Sequence, residues 1–277
     1  MLWKNRRSSG NIVDRRSFGA GGLGVGGLVI GAIIYFLSGG NPADYLAQNI
    51  NNIQPNSSTS AVTNDGQKTF VSVVLADTED VWNDIFKQRG QVYEEPKLVL
   101  FKNAVDSACG RASSAVGPFY CPRDKQVYLD MSFFDELSDS LGAKGDFASA
   151  YVIAHEVGHH VQNLLGIEEA FREKQSRVSS TDRNRLSVLV ELQADCLAGI
   201  WAQQTQQTKN VLETGDIEEA LTAASAVGDD KLQKASRGEV VPDSFTHGSS
   251  AQRMQAFQAG FKDGNLQACL DITQAIL

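Results

Sequence analysis

The stretch DFASAYVIAHEVGHHVQNLLG (146–166) decides how this chain is read. Its apolar residues recur at helical spacing, and a glycine closes it. Within it His155, Glu156 and His159 spell H-E-x-x-H. Two imidazoles four residues apart share one helix face and can grip one Zn²⁺, and a glutamate directly after the first can serve as general base. Gly158 costs helix stability, which points to a close approach by another backbone or helix. His160 falls one position off the ligand face, so it is expected to support the fold or the ligands without binding metal.

A catalytic zinc needs a third protein ligand and an open position. The segment VLVELQADCLAG (188–199) reads as part of another long helix, with Glu191 and Asp195 one turn apart on an apolar stripe. Acidic residues there are costly unless paired or metal-bound. Glu191 is therefore the candidate third ligand. Asp195 is the candidate acceptor for the far nitrogen of a ligand histidine. The remaining histidine lies in PDSFTHGSSAQR (242–253). His247 could donate to the oxyanion of a tetrahedral intermediate, supported electrostatically by Arg253. The other reading makes Thr246 or Ser249 a helix cap and His247 an exposed loop residue.

Working outward, KLVLF (97–101) and QVYLD (126–130) are short β-prone runs, and QVYLD is a candidate edge for pairing with a substrate backbone. CGRASSAVGPFYCPRD (109–124) lies between them as a loop. DTEDVWNDIFKQRG (77–90) places Val81, Trp82, Ile85 and Phe86 on one face of a helix ended by Gly90. After Asp130 the pattern is helical, over 146–165, 168–179, 182–207, 216–227, 249–260 and 266–276. That describes an α+β domain, mostly helical, with a small β region.

The 277 residues carry a net charge of −8, unevenly placed. Lys4, Arg6, Arg7, Arg15 and Arg16 stand against Asp14, so residues 1–16 are basic and the rest is the more acidic. An acidic body argues against nucleic acid as a partner. Ser17 to Ala43 holds no charged residue, and as a helix it would run roughly 40 Å, against roughly 30 Å of bilayer hydrocarbon. The expectation is a basic cytoplasmic N-terminus (1–16), one transmembrane helix (17–38), a polar linker (39–67) and a domain over 68–277 outside the cytoplasmic membrane. A cleaved signal peptide and a twin-arginine export signal share this charge layout, and both also export the domain. Gly22 with Gly26 and Gly27 with Gly31 are spaced for close helix approach, a weak basis for self-association that a glycine-rich run produces easily.

The four cysteines form no C-x-x-C pair, and their even number fits two disulfides in an oxidising compartment. Cys109 with Cys121 would staple the loop between the two strands. Cys196 with Cys269 follows largely by elimination and would brace the Glu191 helix from behind.

HEVGHHVQNLLG, then ELQADCLAG, then FTHGSSAQR, resembles the putative neutral zinc metallopeptidases, membrane-anchored bacterial proteins of the gluzincin type. GPFYCPRDKQVYLDMSFFDEL and GDFASAYVIAHEVGHH are similar to the same family. The resemblance implies a zincin-like domain holding one zinc on His155, His159 and Glu191, with Glu156 as general base and His247 near the metal. The activity it implies is that of a membrane-anchored zinc endopeptidase acting on protein or peptide substrates. Two other readings stay open: a zinc-containing binding or scaffold protein without turnover, and a zinc amidase of cell-wall amides.

Overall fold

The computed structural model of the protein describes residues 1–16, 65–274 and 276. The expected span 17–38 and the expected linker up to residue 64 lie outside them. Among the described residues no helix is long and apolar enough to cross a membrane.

The chain opens with strand β1 (Ile12–Asp14), then helix α1 (Asp65–Gln88) and strand β2 (Lys97–Phe101). A hairpin of β3 (Ala104–Ser107) and β4 (Gly110–Ser113) follows, then β5 (Phe119–Cys121) and β6 (Gln126–Asp130). The helices are α2 (Ser132–Asp139), α3 (Asp146–Leu164), α4 (Ile167–Gln175), α5 (Ser180–Lys209), α6 (Asp216–Ala226), α7 (Asp229–Arg237), α8 (Ser250–Asp263) and α9 (Leu266–Ile272). The outcome is the α+β, mostly helical arrangement expected.

The main sheet runs β1-β2-β6-β5, with β1 and β2, and β2 and β6, parallel and β5 antiparallel to β6. Strand alternation divides β2 and β6 between two cores. Leu98, Leu100, Val127 and Leu129 join the main core with Trp82, Phe147, Tyr151 and Trp201, while Val99, Phe101 and Tyr128 pack on the other face with Val105 and Cys121. β6 has a neighbour on each side, so QVYLD is not the free edge that sequence suggested. Among the described residues, β5 lies at an edge of the sheet.

Near the expected start of the domain, α1 begins at Asp65 and buries Phe70 to Ala76 without a break. Such a continuously apolar run has no amphipathic period, so only the later half of this helix was visible in the pattern. Residues 1–16 pair with the sheet and with α1. Ile12, Val13 and Asp14 pair with Leu98, Val99 and Leu100. Arg6 meets Asp77 at 2.5 Å, and Arg7 meets Glu79 at 2.9 Å and Asp80 at 2.6 Å. Two of the five basic charges that suggested an orientation in a membrane, Arg6 and Arg7, thus pair with carboxylates of α1, and Arg16 pairs with Asp14.

The helices that carry the site are held by specific devices. Ser179 caps α5 by accepting from the Asp182 amide, and Ser249 caps α8 in a reciprocal capping box with Gln252. α5 and α8 cross in backbone contact: a Cβ on Gly260 would lie 1.9 Å from the Cys196 carbonyl oxygen, and one on Gly199 would lie 2.1 Å from that of Phe257. Both disulfides are present. Cys109–Cys121 spans Cα atoms 5.8 Å apart, and Cys196–Cys269 ties α5 to α9 across 5.6 Å.

Candidate metal centre

α3 sets His155 and His159 on one face, and α5 crosses it with Glu191 opposite. Gly158 permits the approach: a Cβ there would stand 3.0 Å from the Ala194 carbonyl oxygen, between the two helices. The ligating atoms of His155, His159 and Glu191 all lie within 4.8 Å of one another. His155 Nε2 is 3.2 Å from Glu191 Oε2, and His159 Nε2 is 3.5 Å from Oε1.

The far nitrogens show how these rings are fixed. His155 Nδ1 donates to Asp195 Oδ1 at 2.8 Å, and His159 Nδ1 donates to Gln162 Oε1 at 2.9 Å. With Nδ1 protonated, each Nε2 presents a lone pair to the space before Glu191. Two such nitrogens and one carboxylate are a donor set that fits zinc and leaves a coordination position open.

Asp195 is fully buried and serves as a hub. Oδ1 also accepts from Tyr151 Oη at 2.5 Å, and Arg253 grips both oxygens, Nε to Oδ2 at 2.8 Å and Nη2 to Oδ1 at 3.0 Å. Burial opposes a charge on Asp195, but Arg253 and His155 hold its pKa down to about 2. Burial likewise disfavours a charged His155, yet Asp195 and Glu191 lift its pKa to about 10, so a metal ion that binds Nε2 must displace a proton from it. The guanidinium expected beside an oxyanion is therefore engaged with Asp195 and orients a ligand instead. It still lines the cavity, 4.0 Å from Glu191 Oε2.

His159 is secured through a second chain. Gln162 Nε2 donates to Val190 O at 2.7 Å and to Gln193 Oε1 at 2.8 Å, and Gln193 Nε2 reaches Cys269 O and Thr273 Oγ1. This links one candidate ligand to the α9 segment that the Cys196–Cys269 bridge fastens to α5.

Glu156, His247 and Arg253 line one cavity of about 530 Å³ with the three candidate ligands. Burial pushes the Glu156 pKa up, while His159 and His155 pull the other way. Ser249, not Thr246, is the helix cap, and His247 is placed by Asp229. That buried carboxylate accepts from the backbone amides of Thr246, His247 and Gly248 at 2.8, 2.7 and 3.0 Å. His160 faces away, fully buried. Its Nε2 donates to Glu94 O at 2.6 Å, and its Nδ1 accepts from Tyr120 Oη at 3.0 Å. Desolvation lowers its pKa to about 4, so it is neutral and structural.

Tyr151, Gln162 and Asp229 escaped the sequence reading. Tyr151 and Gln162 lie four before His155 and three after His159, a helical spacing that could have flagged them. Asp229 carries no such signal, since its partners are 17 to 19 residues on.

The family described as "Putative neutral zinc metallopeptidase" matches residues 1–272. The chain is 48% identical to the uncharacterized protein YpfJ of Escherichia coli K12, over 97% of this chain and 98% of that one. It is 40% identical to the uncharacterized protein Rv2575 of Mycobacterium tuberculosis H37Rv, over 72% of this chain and 70% of that one. No solved structure is significantly similar. The chain belongs to this zinc metallopeptidase family.

Proposed function

We propose that this member of the family is a zinc-dependent endopeptidase with His155, His159 and Glu191 as metal ligands. The observation that carries the reading is the convergence of two Nε2 lone pairs and a carboxylate beside Glu156, all in one cavity. A purely structural zinc has four protein ligands and needs no adjacent base, whereas this arrangement supplies three and a base.

Zinc bound there supplies a Lewis acid that polarises a carbonyl and makes water nucleophilic at neutral pH. Glu156 takes the proton from the attacking water and delivers it to the leaving amine. His247 donates to the oxygen that gains charge. Asp195 and Gln162 keep the two imidazoles in the tautomer and orientation that ligation requires. β5 is an edge strand of the sheet among the described residues, and Phe119 and Tyr120 line the cavity, so β5 suits an extended peptide better than β6 does.

Glu156→Gln should keep zinc and melting temperature while lowering peptide cleavage by roughly 10²–10⁴-fold or more. Metal analysis, thermal melting and cleavage of an unfolded protein report on it. Undiminished cleavage by the zinc-loaded variant would remove Glu156 from the mechanism.

We further propose that the protein works outside the cytoplasm at a membrane, with residues 1–16 on the same side as the domain. Two disulfides favour an oxidising compartment, and the pairing of β1 with β2 favours one side. In intact cells, single cysteines at positions 4 and 237 should react alike with an impermeant thiol reagent. Labelling of only one of them would exclude this topology.

A further inference from the structure

The cavity continues beyond the groups that the mechanism uses. Glu136, on α2, lines it with Phe133, Leu141 and Val152. The residue is 8% exposed, and its Oε1 has no hydrogen-bond partner. Burial alone pushes its pKa up to about 7, with no neighbouring charge to offset the desolvation. Other acidic groups at the site are answered: Glu191 faces two histidines, Asp195 an arginine, and Asp229 three backbone amides.

A carboxylate buried with a bare oxygen is costly. What would satisfy it is a cation carried on an apolar stem, because the surrounding wall is aromatic and aliphatic. A lysine or arginine side chain has that form: methylenes to lie against Phe133, Leu141 and Val152, and a charged head to reach Glu136. Val152 is one helical turn before Glu156 on α3, so this wall adjoins the proposed general base.

We propose that Glu136 closes a specificity subsite that takes a lysine or arginine side chain of the substrate beside the bond to be cleaved. The inference rests on the peptidase reading and names the substrate feature that the cavity selects.

The test uses zinc-loaded full-length protein and peptides alike except for lysine, norleucine or glutamate at each of the positions flanking the cleaved bond. At one position the wild type should favour lysine over norleucine in kcat/KM by about 10- to 100-fold, the range of a charged hydrogen bond. Glu136→Gln should abolish that preference, and Glu136→Lys should shift it to glutamate. A second measurement needs no peptide bond: n-butylammonium, a lysine stem and head, should raise the melting temperature of the wild type but not of Glu136→Gln. Cleavage with the same lysine-to-norleucine ratio in wild type and Glu136→Gln overturns the subsite and leaves the peptidase reading intact. Butylammonium protection that depends on Glu136, with no cleavage of any peptide, does the reverse. No cleavage of any peptide together with no butylammonium protection overturns both.

Discussion

His159 and His160 are adjacent in sequence, yet the two faces of α3 give them opposite chemistry. His159 looks into the cavity, with Nδ1 held by Gln162 and Nε2 free toward Glu191. His160 looks into the β side of the domain, where Tyr120 and the Glu94 carbonyl take both ring nitrogens. A histidine can bind metal only if one nitrogen is left without a protein partner, and the helix turn decides which of the two neighbours has that freedom. The same contrast holds for carboxylates: Asp195 is saturated with donors and holds His155, whereas Glu156 and Glu136 line the cavity.

Exchanging these neighbours one at a time should break the comparison most visibly in metal content. His159→Ala should lower zinc affinity by more than the roughly 10- to 100-fold typical of losing a supporting partner, and His160→Ala should leave zinc bound. The cost of His160→Ala should instead appear in melting, about 2–4 kcal/mol for two lost buried hydrogen bonds and the hole left behind. Retained zinc in His159→Ala, measured by metal analysis of the purified protein, would put the ligand set elsewhere.

Asp195→Asn sharpens the same contrast with a smaller effect. The amide keeps the shape but weakens the grip on His155 and Arg253, so zinc affinity should fall by roughly 10- to 100-fold. Competition with a chelator of known affinity measures it. An unchanged affinity would reduce Asp195 to a packing residue.

The smallest expected effect concerns pH. The folded pKa of Glu136 lies near 7, above the ordinary value of 4.5, so between those values the folded state binds the extra proton. Stability from this group is therefore present below about pH 4.5 and lost as pH rises through about 7. Glu136→Gln should melt higher than wild type at pH 8 and no higher at pH 4.5. Parallel melting curves for the two proteins across this range would contradict the assignment.

The candidate site was largely legible in sequence because its chemistry is written at helical spacing. H-E-x-x-H must place two imidazoles on one face, and E-x-x-x-D on an apolar helix must place Glu191 and Asp195 on another. The strands 97–101 and 126–130 were legible for a similar reason, as short β-branched and aromatic runs between turn residues. The first half of α1 was not, because burial on all sides erases periodicity.

The sequence by itself determined the family, the helix that carries the histidines, the acidic pair of α5 and the count of cysteines. Each of these depends on residues close along the chain. Only the tertiary structure decided that β6 lies inside the sheet and β5 at an edge, that Arg253 is engaged by Asp195, and that Asp229 places His247. It also decided where Arg6 and Arg7 go: Asp77, Glu79 and Asp80 pair with them across some 70 residues of chain. Long-range pairing of this kind leaves no local pattern, since the partners are chosen by how sheet and helices pack and not by their spacing in sequence.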